Sequence, residues 1–212
     1  MKFLLLSKAI TNFTKKEIDK GLVPKQIYEL CCCIRETFCL SYSIRKNNDL
    51  YIYFVDDKIA IKFIGQELRY LGPDERSQAI LLNKALLKKE ENFSLYNWTN
   101  STPGIYIKQY IDEPSIFKEF NSLDSSHTFF IKFQNDTSAQ NINLSLRKDI
   151  KNFDKNTQFI LPLFNVSENN PGLLEFLIKE KALNLKVIYL IKIKKVEDKI
   201  IYINNCLDNL EK

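Results

Sequence analysis

Short runs of β-branched and aromatic residues alternate, along nearly the whole chain, with segments whose apolar residues recur every three to four positions. That alternation restricts the chain to a sheet covered by helices. Residues 2–6 read as a buried first strand, and residues 24–42 as a helix whose core face carries Ile27, Leu30, Cys31, Ile34 and Phe38. Residues 50–55 and 59–64, separated by Asp56 and Asp57, read as a hairpin or two adjacent strands. Gly72 and Pro73 break the chain, Asp74 and Glu75 open the next helix, and Lys88 and Lys89 close it, a charge order that suits the helix dipole. Residues 97–104, dense in Ser, Thr, Asn, Pro and Gly, give a loop signal. A short strand at 105–108, a short helix at 114–121, strands at 129–133 and 159–164, a helix at 171–182 and a strand at 187–193 continue the pattern. Residues 197–210 can form a terminal amphipathic helix through Ile200, Ile201, Ile203, Leu207 and Leu210, whose stripe suits the face of a dimer. The polar stretch 134–156 reads as a long loop or insertion, and no internal repeat is present. The expected architecture is an α/β sandwich with a mainly parallel sheet.

A chain of 212 residues, 45% hydrophobic and 27% charged, buries a real core in one domain or a domain with an appended lobe. The net charge of +5 tolerates an anionic partner without demanding one. No apolar run approaches the roughly 20 residues that span a bilayer, so the expectation is a soluble protein of the cytoplasm with no membrane partner. Residues 1–10 carry one Lys before Phe3–Leu6, too short an apolar stretch for a secretory signal. Five cysteines, three consecutive at Cys31, Cys32 and Cys33, lack the spacing of zinc sites or disulfide frameworks and read as packing residues. His127 is the only histidine, so no multi-histidine metal site is expected; its neighbours make it a strand-entry residue.

Three ordered motifs narrow the reading further. Residues 61–76, IKFIGQELRYLGPDER, resemble the IKFxGxELxxxSPDER block of the archaeal tRNA (pseudouridine(54)-N1)-methyltransferases, the TrmY family. Ser101-Thr-Pro-Gly-Ile105 is similar to that family's STPGI block, with Trp98 ahead of it, and residues 30–46, LCCCIRETFCLSYSIRK, look like its LCRCVSDAFFLSHDIRR segment. The resemblance covers residues 1–110 well and residues 128–210 by pattern and a terminal Leu207-Asp208. It implies one SPOUT domain over residues 1–212: a parallel sheet with flanking helices and a C-terminal trefoil knot, about residues 128–210, that holds S-adenosylmethionine. It also implies a homodimer, or a heterodimer with a paralogue, whose active site lies at the subunit interface and methylates N1 of pseudouridine in the T-loop of tRNA.

On the substrate side the resemblance points to Arg45, Asp74, Glu75, Arg76, Thr102 and Gly104. A carboxylate can orient a base or take a proton, and a guanidinium can grip phosphate, so Asp74 and Arg76 are also the candidates for catalysis. Each has a plainer reading as well: helix-start acids, a surface arginine, a stiff turn, a cation at a helix end. On the cofactor side it points to Ile131, Pro162, Leu163, Tyr189, Leu190, Ile191, Lys192 and Ile193. The C-terminal half departs from the family: residues 161–166, LPLFNV, stand where it has Gly-Asp-His-x-Gly, residues 189–194 fall opposite its LSPLEL loop, and Lys25-Gln-Ile-Tyr28 replaces its Gly-Arg-x-Asp. The alternative is a degenerate relative that binds RNA or a protein partner without methyl transfer.

Overall fold

The computed structural model describes residues 1–90, 97–121, 128–132, 153, 156–173, 177, 185–188, 190 and 193–209. Strand β1 (Lys2–Ser7) carries a continuous apolar run, Phe3 to Leu6, buried on both faces, as befits the middle of a sheet with parallel neighbours. It pairs in parallel with β2 (Asp49–Phe54) on one side and β7 (Gln158–Pro162) on the other, Phe3 standing between Leu50 and Phe159. Outside β7 follow β6 (Thr128–Ile131) and β8 (Leu185–Ile188), both parallel. Outside β2 follow β3 (Ile59–Ile64), β5 (Ile105–Gln109) and β4 (Thr99–Thr102), each antiparallel to its neighbour. The order β4-β5-β3-β2-β1-β7-β6-β8 thus joins a parallel half to an antiparallel half, so the sheet is mixed as well as α/β.

Period-two alternation divides the strands between two cores. Phe3, Leu5, Ile52 and Phe159 face one core, completed by α2 (Lys25–Phe38), α3 (Glu75–Leu87) and a C-terminal helix. Leu4, Leu6, Tyr51 and Tyr53 face the other, closed by Phe117 and Phe120 of α4 (Glu113–Asn121) and Val166 of the short α5 (Val166–Asn169). The C-terminal helix, α6 (Val196–Asp208), places Ile200, Ile203 and Leu207 in the first core, packed against α2, and leaves Ile201 exposed. Three residues of the stripe expected to serve a dimer, Ile200, Ile203 and Leu207, are thus buried within the chain.

Several boundaries differ from the sequence expectation. Helix α2 ends at Phe38 rather than at 42, because Cys39 turns extended and bridges Ile44 around a Leu40–Ser43 turn. Serines at 41 and 43 compete with helical bonding and favour such turns. The supposed loop at 97–104 contains β4, a polar edge strand with a bulge between Asn100 and Thr102. The last strand lies at Leu185–Ile188, earlier than 187–193. A helix the sequence reading lacked, α1 (Lys15–Asp19), opens with a capping box in which the Thr14 hydroxyl and Glu17 carboxylate serve each other's backbone. Most of the expected helix at 171–182, the long loop at 134–156 and His127 lie outside the described residues. Among the described residues no helix is long and apolar enough to cross a membrane, and the five cysteines are free.

Candidate functional site

The parallel half of the sheet gathers the ends of β1, β7, β6 and β8 on one edge. Ile131 closes β6 beside Ile188 of β8, and the Lys132 amide donates to the Ile188 carbonyl (3.1 Å). Pro162 closes β7, and the amide of Leu163 donates to the Leu6 carbonyl (2.9 Å). Beyond β8, the Ile193 amide donates to the Leu190 carbonyl (3.0 Å). Ile131, Pro162, Leu163 and the segment after Ile188, widely separated in sequence, thus end on a single edge. Tyr189, Ile191 and Lys192 lie outside the described residues.

Beside this edge lies a cavity of about 290 Å³ lined by Ser7, Lys8, Gln26, Glu29, Leu163 and Phe164, among others. It sits by the ends of β1 and β7, whose onward connections run to opposite sides, β1 to β2 and β7 to β8, the place at which open α/β sheets receive ligands. Gln26 belongs to the Lys25–Tyr28 replacement, and Leu163 and Phe164 to the replaced glycine loop. Two of the three departures from the resembled pattern therefore meet in one crevice. A shallower hollow of about 730 Å³, lined by Ile10, Phe13, Thr14, Asn83 and Lys89 among others, shares Thr11 with it.

Sequence reasoning missed Lys199. It is 2% exposed, its Nζ donates to the Lys132 carbonyl (3.1 Å), and burial pushes its ammonium down to about 8. No carboxylate lies within ion-pair distance of it among the described residues. Buried cations are ordinarily paired, which sets this one apart at the β6–β8 edge. No sequence signal was there to find, since Lys199 stands in a run that reads as any amphipathic helix.

The opposite edge collects the resembled motifs. Gly65 leaves β3 so tightly against the Asn48 and Arg45 carbonyls that a Cβ would stand 2.3 and 2.6 Å from them. Gly104, at φ 78, presses on Glu67 and Leu68, where a Cβ would lie 2.6 Å from the Leu68 nitrogen. The three motifs are one packed corner. Within it, Arg45 grips Asp208 of α6 with two 2.6 Å bonds. Asp74 caps α3 by accepting the Ser77 amide (2.8 Å), and that bond holds its carboxyl below the usual range. Glu75 occupies the first turn of α3, and Arg76 pairs with Asp19 at 2.8 Å, both side chains exposed. The hydroxyls of Ser101 and Thr102 are buried without a hydrogen-bond partner among the described residues. Asp49, another residue not singled out from sequence, accepts the Gly65 amide (3.2 Å), and burial raises its carboxyl. Among the described residues no group of His, Cys, Asp or Glu side chains is arranged to hold a metal.

Comparison with known proteins fits this division. A family model described as "Putative SAM-dependent RNA methyltransferase" matches residues 3–123. The tRNA (pseudouridine(54)-N(1))-methyltransferase of Methanocaldococcus jannaschii is 41% identical over 87 residues, 38% of this chain and 42% of that protein. The enzyme of the same name from Methanococcus vannielii is 33% identical over 119 residues, 55% and 58% of the two chains. That from Haloferax volcanii is 42% identical over 81 residues, 38% and 39%. The chain spans about half the length of the curated relatives it matches. The family match runs from β1 through α4 and so includes the whole motif corner and the β1–α2 side of the crevice. With more than half of its 212 residues under that one model, the chain belongs to the S-adenosylmethionine-dependent RNA methyltransferase family.

Proposed function

We propose that the chain is an S-adenosylmethionine-dependent RNA methyltransferase that methylates N1 of pseudouridine in the T-loop of tRNA. The observation that carries this reading is the meeting of Ile131, Pro162, Leu163 and the hydrogen-bonded Leu190 and Ile193 on one strand edge beside a buried ammonium that has no ion pair among the described residues. Backbone groups of those residues, with Tyr189, Ile191 and Lys192, would hold the cofactor's adenine, and Lys199 suits its carboxylate. The fit is tight: about 290 Å³ is the small end of ligand cavities, and Pro162 offers no N–H.

Pseudouridine is joined to ribose through carbon, so its N1 carries a proton and is free to react. When bound, the cofactor supplies an electrophilic methyl group on a sulfonium sulfur. The protein's own residues exclude water, hold the base at near-attack distance and dispose of the N1 proton. Arg45, Arg76, Glu75, Thr102 and Gly104 are assigned to RNA, and Asp74 to orienting it. A carboxylate depressed by its cap is a poor proton acceptor, so Asp74 orients rather than abstracts.

A six-residue strand spans roughly 20 Å, so the motif corner and the cofactor edge of one copy stand too far apart to share a reacting atom. This supports a dimer, with itself or with a paralogue, in which the corner of one subunit serves the edge of the other. The same reading makes residues 1–212 one SPOUT domain with a C-terminal trefoil knot, working on tRNA in the cytoplasm. One observation favours a second reading, a relative that binds RNA or a protein without chemistry: Phe164 and Leu163 line the crevice where the resembled loop has glycines. Isothermal titration with S-adenosylmethionine decides between them. Saturable binding weakened by Lys199→Met supports the enzyme, and no heat at millimolar cofactor supports the binding protein.

A further inference from the structure

Two tyrosines on the motif corner have no role in the fold. Tyr42, at the tip of the Leu40–Ser43 turn, is fully solvent-exposed, and Tyr70 is 79% exposed. Tyr70 also stands at φ 65, a left-handed backbone conformation that suits glycine or asparagine and disfavours an aromatic residue. Strained backbone is ordinarily held in place by what its side chain packs against. Here the side chain points into water, so its identity is not explained by packing.

The two loops are fastened together, the Cys39 thiol donating to the Gly72 carbonyl at 3.8 Å. Tyr42 is three residues from one end of that contact and Tyr70 two from the other, so each Cα lies within roughly 12 Å of it. Lys46 follows Tyr42 by four residues and Arg69 directly precedes Tyr70, both exposed and neither in an ion pair among the described residues. Three carboxylates of the same corner are engaged, Glu36 by Arg35, Asp74 by the Ser77 amide and Asp208 by Arg45, while Glu75 at the start of α3 has no ion pair among the described residues. The corner thus presents two exposed aromatic rings together with two cations that have no ion pair among the described residues. Stacked bases between neutralised phosphates have that chemistry, and unpaired RNA nucleotides present it.

We infer that Tyr42 and Tyr70 form a stacking platform for unpaired bases of the RNA, with Lys46 and Arg69 on its phosphates. This rests on the RNA-binding part of the proposed function and adds to it the residues that read single-stranded loop rather than duplex. The test uses the full chain and a T-arm hairpin RNA carrying pseudouridine in its loop, titrated across a salt series, with thermal unfolding of every variant. Tyr42→Ala and Tyr70→Ala should each weaken binding about tenfold and leave the salt slope unchanged, while Tyr42→Phe and Tyr70→Phe retain affinity. Lys46→Ala and Arg69→Ala should instead each lower the slope by about 0.7. Tyr70→Asn should melt at or above the wild-type temperature while losing affinity, because asparagine relieves the strained position. Wild-type affinity retained in both alanine variants overturns the platform and leaves the RNA-binding reading standing. Loss of dimer sedimentation in those variants also overturns it, by assigning the tyrosines to a subunit contact. No RNA binding by the wild-type chain at low salt overturns both.

Discussion

Lys199 puts a measurable signature on the pH dependence of stability. Its folded value of about 8 lies below the ordinary 10.5 because burial disfavours the ammonium. Between those values the unfolded chain holds a proton that the native chain has released, so this group makes stability rise with pH from about 8 to 10.5. Below that window the folded chain carries the full burden of a buried charge. Lys199→Met should therefore be more stable than wild type at pH 7, by on the order of 3 kcal/mol, with the advantage shrinking towards pH 10.5. Chemical denaturation of both proteins at pH 7 and 10 checks this, and an equal difference at both would contradict it. Gly65 gives the opposite case. With a Cβ forced to 2.3 Å from the Asn48 carbonyl, Gly65→Ala should lose about 2–4 kcal/mol, read from the denaturant midpoint. Asp74 was legible in the sequence as a helix-opening acid because a cap is a local device. The partners of Arg45 and Lys199 were not, since Asp208 is 163 residues from Arg45 and a carbonyl donates no sequence signal.

Helix α6 ties the two edges of the sheet together. Near its start Lys199 reaches the Lys132 carbonyl, and at its end Asp208 holds Arg45. Between them the buried Asn204 accepts from Asn48 Nδ2 (3.1 Å) and donates to the Glu36 carbonyl (2.8 Å) at the end of α2. Partly buried, bidentate pairs couple more strongly than exposed ones. A double-mutant cycle on Arg45→Ala and Asp208→Ala should therefore give about 1 kcal/mol of coupling, and additivity would show that the pair does not dock α6. Strands β1, β2 and β3 were legible because short, nearly continuous apolar runs, of Phe and Leu in β1 and of β-branched and aromatic residues in β2 and β3, mark strands buried on both sides. Strand β4 was not, because Thr-Asn-Ser-Thr on an exposed edge has the composition of a loop. The five-residue α1 announces itself only by Thr14 and Glu17. The apolar stripe of α6 was read correctly as a stripe, but periodicity does not say whether a helix faces its own core or another chain.

At the scale of the molecule, the motif corner and the edge proposed for the cofactor stand at opposite ends of the strands, and the proposed methyl transfer would require them to meet. The dimer proposed here supplies that meeting, and its test is complementation. A variant disabled at the edge, Lys199→Met, and one disabled at the corner, Arg76→Ala with Tyr70→Ala, should each have low activity alone. Mixed under subunit exchange they should recover up to about a quarter of wild-type rate, because half the dimers then hold one intact composite site. No recovery, with exchange verified, would mean that each subunit works alone. The corner was legible as motifs in the sequence, whereas its separation from the cofactor edge was not, because only strand direction and order reveal it. The most direct test is transfer of a labelled methyl group from S-adenosylmethionine to a T-arm RNA carrying pseudouridine, with the uridine version as control. Label is expected in the pseudouridine RNA alone, since N1 of uridine is occupied by its ribose bond. Equal labelling of both RNAs, or of neither, would contradict it.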